Sequence, residues 1–375
     1  MTIQHHKYMQ YAISMANRIV GNTAPNPAVG CVIVKNGIVL AASHTQKGGR
    51  PHAEVIALKE ASNNAIGATA YVTLEPCAHH GKTPPCADAL IKAGIKTVVI
   101  ANIDPYEKVN GAGIIKLKEA GIEVITDICT NEAKELNLGF FSVIRRTRPF
   151  VTLKTATSLD GKIALKNGKS KWITNEQSRN YVHLIRARND AIITGIATVM
   201  SDNPILSCRL PGLEDFSPIR IVLDTNLSIP TESNLVRTAN QIPFWVVTLE
   251  ETIVKQQDKV NTLANNNVKL IKVNKASNGK ICLEDTMLKL AANGINNVMI
   301  EAGTSINSAA LHLNLVDRIN WFTAPIIIGN EGIPAFAELN LLELSSAKGF
   351  KIIEERNFCD DKMIVFQSKE VEAAL

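Results

Sequence analysis

The chain of 375 residues lacks the features that mark several special classes of protein. No run approaches the roughly 18 apolar residues of a membrane span, so we expect no membrane partner. The N-terminus, MTIQHHKYMQYAISMA, has no continuous apolar segment and no small-residue cleavage site, which argues against a signal peptide. Seven cysteines, an odd number scattered over a long chain, argue against a disulfide framework and favour the reducing cytoplasm.

The chain also has no large excess of positive or negative charge. Lys and Arg number 40 against 35 for Asp and Glu, so the net charge is only +5. A dedicated nucleic-acid binder usually carries a denser basic patch, and we therefore expect no nucleic-acid partner. The excess still suffices for a small phosphorylated substrate, whose pocket needs only a few cations. A hydrophobic fraction of 46% excludes a disordered chain.

Strands alternate with short helices along the whole chain, which predicts α/β domains. A helix is predicted over Asn131 to Val143, and the basic, proline-terminated segment RRTRP at residues 145–149 indicates a domain boundary. We therefore predict two domains, residues 1–147 and residues 148–375. The strands predicted in the second domain are Val151–Ala156, Ala191–Thr194, Ile219–Leu223, Phe244–Thr248 and Val298–Glu301.

His52, Cys77 and Cys86 form the first group of candidate functional residues, a candidate metal site. Each cysteine follows a proline and is predicted to begin a helix, where the helix N-terminus favours the thiolate that zinc binds. Three protein ligands are typical of catalytic zinc, whose fourth position holds a water with its pKa lowered towards about 7. Glu54, two residues after His52, is predicted to carry a proton from that water to a leaving amine.

Other interpretations of these residues remain open at this stage. His79 or His80 would complete a closed, structural zinc site, as in a zinc-stabilised binding protein without activity. The order H-x-E followed by two P-C dipeptides also matches zinc nucleobase deaminases, so a tRNA deaminase with an accessory domain is the alternative function. In this chain the second cysteine stands nine residues after the first rather than three.

The long insert between the cysteines gives a more specific resemblance. PCAHHGKTPPC, preceded by PNPAVGCVIV and followed by DPYEKVNGAGI at residues 104–114, resembles the deaminase half of bifunctional riboflavin-biosynthesis deaminase/reductases from Tyr8 to about Thr147. The resemblance implies a cytidine-deaminase-like three-layer α/β/α domain and suggests that Asn26 contacts the pyrimidine. Lys82, a cation in that insert, is expected on charge grounds to meet the substrate phosphate.

The second half lacks the G-x-G-x-x-G fingerprint of dinucleotide-binding domains. VMIEAGTSIN at residues 298–307 instead predicts a strand, a small-residue loop and a helix whose N-terminus would favour a pyrophosphate. KTATSLDGK at 154–162, SKWIT at 170–174 and HLIRARNDAIITGIATVMSDNPILSCR at 183–209 resemble the reductase half of the same family. That half is similar to dihydrofolate reductase in fold and implies NADPH as cofactor, from about Arg148 to Glu370.

The resemblance also implies the residues of the reductase site. The expected cofactor contacts are Ala156, Trp172, Thr198, Asp202 and Thr225, with the phosphates held by Gly303, Thr304, Ser305, Ile306, Asn307, Ser308 and Ala309. The expected substrate contacts are Ser170, Arg186, Leu206, Arg209 and Glu301. The arginines suit a phosphate because a guanidinium grips it bidentately. Lys154 and Asp202 are candidates for proton delivery, and Ala302 replaces a glycine of the family, at a cost if its φ must be positive.

The predicted function is therefore two consecutive reactions of riboflavin biosynthesis. The first is a zinc-dependent hydrolytic deamination of 2,5-diamino-6-ribosylamino-4(3H)-pyrimidinone 5′-phosphate. The second is an NADPH-dependent reduction of its ribosyl side chain to ribityl. The expected cofactors are Zn²⁺ and NADPH, and the fold-level analogy favours a homodimer.

Overall fold

The computed structural model describes residues 2–81, 83–106 and 109–375, which form two compact units, Met1–Arg146 and Thr147–Leu375. No helix in these described stretches is both long enough and apolar enough to cross a membrane. Each unit has its own sheet and its own buried core, and each is described separately below.

The first unit contains five strands and six α-helices among its described residues. In chain order they are α1 (Thr2–Asn17), β1 (Gly30–Lys35), β2 (Ile38–His44), α2 (Ala53–Ala61), β3 (Thr69–Val72), α3 (Cys86–Lys92), β4 (Thr97–Ile100), α4 (Ala112–Glu119), β5 (Glu123–Ile125), α5 (Thr130–Glu135) and α6 (Leu138–Arg146).

The sheet of the first unit is mixed and lies between two layers of helices. Its strand order is β2-β1-β3-β4-β5, with β1 antiparallel to both neighbours and β3, β4 and β5 parallel. Val32 and Val34 of β1 pack with Met9 of α1 on one face. Side chains alternate along a strand, so Cys31 points to the opposite face, near Glu54 of α2. The result is a three-layer α/β/α unit.

The single helix predicted over Asn131 to Val143 is wrong, because the structure has two helices there, α5 and α6. The break falls at Asn137, whose side chain is fully engaged with a distant residue. Its Oδ1 accepts the N–H of Ala28 at 2.8 Å and its Nδ2 donates to the carbonyl of Ala28 at 3.0 Å. This buried pairing across 109 positions overrides the local helical pattern.

The second unit is larger. Its elements are β6 (Phe150–Thr157), β7 (Lys162–Ala164), α7 (Glu176–Ala187), β8 (Ala191–Gly195), α8 (Ile196–Asp202), β9 (Ile219–Leu223), α9 (Asn234–Arg237), β10 (Phe244–Leu249), α10 (Glu250–Lys255), α11 (Gln257–Asn265), β11 (Val268–Val273), α12 (Leu283–Ala292), β12 (Asn297–Ile300), α13 (Thr304–His312), β13 (Arg318–Thr323), β14 (Ile333–Pro334), β15 (Phe350–Phe358), β16 (Asp361–Ser368) and α14 (Lys369–Ala374). All five strands predicted for this half are present, with ends shifted by no more than two residues.

Nine strands form one sheet in the order β11-β10-β9-β8-β12-β6-β13-β16-β15. The strands from β11 to β13 are parallel, and β16 and β15 add an antiparallel hairpin at one edge. Both faces of the sheet are covered, because neighbours such as Ile192 and Ile193 of β8 belong to different core clusters. The carboxyl ends of the parallel strands meet at one edge, where ligands bind in open α/β sheets.

Candidate active sites

The side chains of His52, Cys77 and Cys86 lie together in the first unit. Their donor atoms are all within 4.8 Å of one another. His52 Nδ1 is 3.3 Å from Cys86 Sγ and 3.9 Å from Cys77 Sγ. His52 precedes the first residue of α2, and Cys86 is the first residue of α3, so the starts of two helices fix two of the three donors. An imidazole and two thiols suit a zinc ion.

The prediction that Cys77 begins a helix is wrong. Cys77 lies in an irregular segment between β3 and α3, but a helix start still acts on its sulfur. The backbone N–H of Cys86, at the N-terminus of α3, donates to Cys77 Sγ at 3.3 Å. The Cys86 thiol, followed by His52, lowers the pKa of Cys77 to about 4 against the opposing effect of burial. Cys77 is therefore poised to be a thiolate, the form that binds a metal.

No fourth side chain joins this group within the described part of the chain. His80 is exposed, and His79 instead places its ring edge against Tyr106, with 6.0 Å between the ring centroids. The closed four-ligand arrangement with His79 or His80 is therefore not formed. Three ligands leave a coordination position for a substrate or water, as a catalytic zinc requires.

Glu54 lies in the first turn of α2, against this cluster. It is 3% exposed, and its Oε2 has no hydrogen-bond partner among the described residues. Burial raises the pKa of Glu54 above its ordinary value, while His52 opposes the rise. A buried carboxylate oxygen without a partner is costly unless a ligand completes it. Glu54 therefore has an oxygen available for a proton beside the three donors.

Glu75 is a buried residue of this site that the sequence did not reveal. Its carboxylate accepts four backbone N–H groups, from Asp104 (3.2 Å), Gly111 (2.9 Å), Gly113 (2.9 Å) and Ile114 (3.3 Å). Two of these donors lie at the N-terminus of α4, where a negative charge is favourable. The carboxylate thus fastens the segment that resembles the family loop to the turn just before Cys77.

Asn26 and Lys82 were expected to contact the substrate of the first site. The amide of Asn26 donates to the carbonyl of Gly49 at 3.0 Å, so Asn26 lies against the turn that leads to His52. A Cβ at Gly49 would fall 2.3 Å from Asn26 Nδ2, which explains why glycine occupies this position. Lys82 lies outside the described residues.

A cleft of about 660 Å³ lies in the second unit, at the carboxyl ends of β8, β12 and β6. Most of the residues predicted for the reductase site line it: Lys154, Ala156, Ser170, Trp172, Arg186, Thr198, Asp202, Arg209, Glu301 and Gly303. The parallel order β8-β12-β6 brings these segments together although more than 140 positions separate the outermost ones. Trp172, which by itself suggests a core aromatic, is 67% exposed, with the Arg179 guanidinium 4.4 Å from its ring centroid.

Three predicted elements are not part of this lining. Thr225 follows β9, the next strand along the sheet, and Leu206 is buried with a φ of 56°. The residues from Thr304 to Ala309 form the first turns of α13. Several of their side chains bind their own chain: Thr304 Oγ1 donates to Pro334, Asn307 Nδ2 to Ala335, and Ser308 Oγ accepts from Ala337 N–H. A phosphate there would meet mainly the backbone N–H groups of the helix start.

Glu301 is the electrostatic centre of the cleft. Arg186 Nη2 lies 3.0 Å from its Oε2, and Lys154 Nζ lies 3.2 Å from its Oε1. Burial alone would raise the pKa of Glu301, but the charges of Arg186 and Lys154 outweigh it and lower the pKa to about 2. Glu301 is therefore an anion at neutral pH, and it holds both cations in place.

Two further groups shape the cleft beside this cluster. His183 Nδ1 lies 3.0 Å from the carbonyl of Ser207 and 3.3 Å from the backbone N of Arg209. Burial and the charges of Arg186 and Arg209 lower the pKa of His183 to about 4, so the ring is neutral at pH 7. The guanidinium of Arg209 has no ion pair or hydrogen bond with the part of the chain that the structure describes, which makes it a cation available to a ligand.

The turn before α13 has room for a ligand. Gly303 is the N-cap of α13 with a φ of −84°, and a Cβ added there would meet no atom within 4 Å. Ala302 does not have a positive φ, so alanine at this position carries no backbone strain. The anticipated cost of replacing the family's glycine with Ala302 is therefore absent from the backbone.

Comparisons with known proteins match each unit to a separate family. Residues 2–102 match the family described as the cytidine and deoxycytidylate deaminase zinc-binding region. Residues 149–357 match the RibD C-terminal domain. The chain is thus a fusion of a zinc-dependent deaminase of the cytidine deaminase type with a reductase domain, which confirms the predicted fold class.

Relatives that span nearly the whole chain make the assignment specific. The riboflavin biosynthesis protein RibD of Aquifex aeolicus is 39% identical over 360 residues, 96% of this chain and 97% of that protein. The RibD of Escherichia coli strain K12 is 38% identical over 370 residues, 96% of this chain and 98% of that protein. The solved structure of Acinetobacter baumannii RibD has a TM-score of 0.87 and 36% identity, covering 98% of this chain and 100% of that one.

The chain belongs to the RibD family of riboflavin biosynthesis proteins. It is a bifunctional enzyme, a deaminase and a reductase, with Zn²⁺ and NADPH as its cofactors. The predicted riboflavin-biosynthesis function is confirmed, in preference to the alternative of a tRNA deaminase.

The zinc cluster predicts a sharp division among the seven cysteines. Cys86→Ser and Cys77→Ser should each lose bound zinc, because serine is a poorer zinc ligand than a thiolate. Cys359→Ser is the matched control, since Cys359 is exposed and outside the cluster. Cys31, Cys129, Cys208 and Cys282 should also be replaceable without loss of metal. Elemental analysis of the purified variants measures the stoichiometry, and full zinc in Cys86→Ser would contradict the site.

The turn before α13 predicts the effect of a charge at Gly303. Gly303→Asp needs no unusual φ, and its Cβ would meet no atom within 4 Å, so the fold should tolerate it. The carboxylate should repel the NADPH phosphates and raise the dissociation constant for NADPH by at least about tenfold, or about 1.4 kcal/mol. Gly303→Ala serves as the uncharged control. Equal NADPH affinity of the Asp variant and the wild type in a titration would rule this turn out as the phosphate site.

Proposed function

We propose that residues 1–147 deaminate 2,5-diamino-6-ribosylamino-4(3H)-pyrimidinone 5′-phosphate and that residues 148–375 reduce the ribosyl side chain of the product. The observation that carries the first half is the cluster of three donors with a buried, unpartnered carboxylate oxygen of Glu54 beside it. The solved structure from Thermotoga maritima, 33% identical with a TM-score of 0.85, bears the name of a diaminohydroxyphosphoribosylaminopyrimidine deaminase and 5-amino-6-(5-phosphoribosylamino)uracil reductase.

In the deaminase half, His52, Cys77 and Cys86 hold the zinc ion. Zinc, when bound, supplies the positive charge that acidifies a water molecule and stabilises negative charge on oxygen. Glu54 accepts a proton from the attacking water and passes it to the amine nitrogen. A carbon–oxygen bond forms, the carbon–nitrogen bond breaks and ammonia leaves. Asn26 orients the pyrimidine ring from the turn before His52, and Lys82 meets the substrate phosphate.

In the reductase half, NADPH, when bound, would supply the hydride that reduces C1′ of the ring-opened sugar. Ala156, Trp172, Thr198, Asp202 and Thr225 bind the cofactor, and the turn from Gly303 to Ala309 binds its phosphates. Ser170, Leu206 and Glu301 position the substrate together with the two arginines. Arg209, whose guanidinium is available, takes the substrate phosphate, whereas Arg186 chiefly orients Glu301. Lys154, held by Glu301, delivers the accompanying proton, with Asp202 the other candidate.

Two further features belong to this proposal. The substrates are small phosphorylated pyrimidines rather than nucleic acids, and the enzyme works in the cytoplasm as a homodimer. The free cysteines of the described chain fit a reducing compartment. Sedimentation of the purified protein tests the dimer.

Product analysis tests the two activities together. The diaminopyrimidinone phosphate is incubated with the enzyme in the presence and in the absence of NADPH. The masses of the products are then measured by mass spectrometry. Without NADPH, we expect oxygen to replace one amine of the substrate. One equivalent of ammonia should be released. With NADPH, the product should gain two further hydrogens. An unchanged substrate under both conditions would refute the proposed substrate.

The geometry around Glu54 predicts a separation of metal binding from catalysis. Glu54→Gln should keep the zinc, because Glu54 is not one of the three donors, and should lose deamination by about 10² to 10⁴-fold, the usual contribution of a general acid–base group. Glu60→Gln, an exposed position on the same helix, is the matched control. Ammonia release by Glu54→Gln within a few-fold of the wild type would remove Glu54 from the mechanism.

The two compact units predict separable activities. A polypeptide of residues 1–147 should bind zinc and deaminate without consuming NADPH. A polypeptide of residues 148–375 should bind NADPH and reduce the deaminated substrate without zinc. Ammonia release and the loss of NADPH absorbance report the two reactions independently. Reduction that required the zinc cluster would contradict the assignment of the two sites to different halves.

A further inference from the structure

Arg50 lies at the edge of the zinc cluster and takes no part in the chemistry assigned above. It stands two residues before His52 in the connection between β2 and α2, and it is half-buried. Its Nη1 donates to Thr83 Oγ1 at 2.6 Å. Arg50 therefore links the connection that carries His52 to the insert between Cys77 and Cys86.

Most of the hydrogen-bonding capacity of this guanidinium is unused. A guanidinium has five N–H donors, and only the bond to Thr83 engages Arg50 within residues 2–81, 83–106 and 109–375. No carboxylate of the same described residues forms an ion pair with it. A guanidinium with unused donors and no ion pair is a suitable partner for an anionic ligand.

A second polar side chain, His79, borders the same place. A Cβ built on Gly81 would lie 3.6 Å from Arg50 Nη2 and 3.9 Å from His79 Nε2, so both side chains border the backbone of Gly81. The Nδ1 of His79 is buried and has no hydrogen-bond partner in the described chain. Gly81 has no side chain, so the space between Arg50 Nη2 and His79 Nε2 remains open.

We propose that Arg50, with His79 and Thr83, forms an anion site at the mouth of the zinc cluster, and that it holds the 5′-phosphate of the pyrimidine substrate. This inference rests on the substrate proposed above and adds the residue that makes the deaminase half selective for the phosphorylated compound. The planar guanidinium fork matches two phosphate oxygens, and the bond to Thr83 fixes its orientation in advance. The site thus combines a cation from the segment before His52 with polar groups from the insert.

The test compares two substrates that differ only in the phosphate. Ammonia release by the full chain is measured with the diaminopyrimidinone phosphate and with the same compound after a phosphatase has removed the phosphate. Arg50→Ala and Arg50→Gln should each raise the KM for the phosphorylated substrate by about tenfold or more, the loss expected when a charge-assisted hydrogen bond is removed. Their KM for the dephosphorylated compound should stay within about twofold of the wild-type value.

One control and two graded variants make the outcome specific. Lys59→Ala removes one positive charge from an exposed position of α2 and should leave both KM values unchanged. Arg50→Lys keeps the charge but not the fork and should give an intermediate KM for the phosphorylated substrate. Thr83→Val keeps the volume but releases the guanidinium, and should raise the same KM by a smaller factor. Zinc content is measured for every variant.

The failures of the two proposals are distinguishable. If wild-type enzyme releases no ammonia from either compound, the proposed substrate is wrong, and the phosphate site falls with it. If the wild type is active but Arg50→Gln, with zinc retained, changes both KM values by the same factor or neither, the phosphate site alone is wrong. Loss of zinc in both Arg50→Ala and Arg50→Gln would make Arg50 a structural support of His52 and would also overturn the site.

Discussion

In both units, buried carboxylates that accept backbone N–H groups join segments that are distant in sequence. Glu75 receives four such groups and thereby joins Asp104 and the start of α4 to the segment just before Cys77. In the second unit Asp190 accepts the N–H groups of Asn296 and Asn297 at 2.9 and 2.7 Å, which aligns the starts of β8 and β12. A buried N–H without an acceptor is costly, and bonds to a charged group are among the stronger ones, about 1.5–3 kcal/mol each. Glu75 therefore acts next to the zinc cluster, whereas Asp190 acts at the edge of the sheet opposite the cleft and sets the register of two strands that lead to it.

The two sites differ in how the chain assembles them. The zinc donors come from 35 consecutive positions, and helix starts set the directions of His52 and Cys86. The reductase cleft draws on strands, helices and loops between Lys154 and Phe322, and the order of the parallel strands makes them neighbours. A local motif therefore defines the first site, whereas a sheet edge defines the second.

This difference explains how much of each site could be predicted from the sequence. The grouping of His52, Cys77 and Cys86 was predictable because their spacing and residue types are typical of a metal cluster. The alternation of strands and helices likewise predicted five strands, and all five belong to the parallel part of the second unit's sheet. Glu75 and His183 could not be found this way, since their roles arise from contacts with Gly113 and Ser207, which lie 38 and 24 positions away. The break at Asn137 depends on Ala28, and no local pattern encodes that pairing.

The hydrogen bonds that Glu75 accepts from four backbone N–H groups affect how the deaminase half responds to salt. The negative charge of Glu75 is balanced by the partial charges of backbone N–H groups in a buried position, and no mobile side-chain cation of the described chain pairs with it. Ions in solution screen exposed pairs such as Lys272 with Glu250 far more than buried ones. The attachment of Asp104 and of the start of α4 to Glu75 is thus largely indifferent to ionic strength.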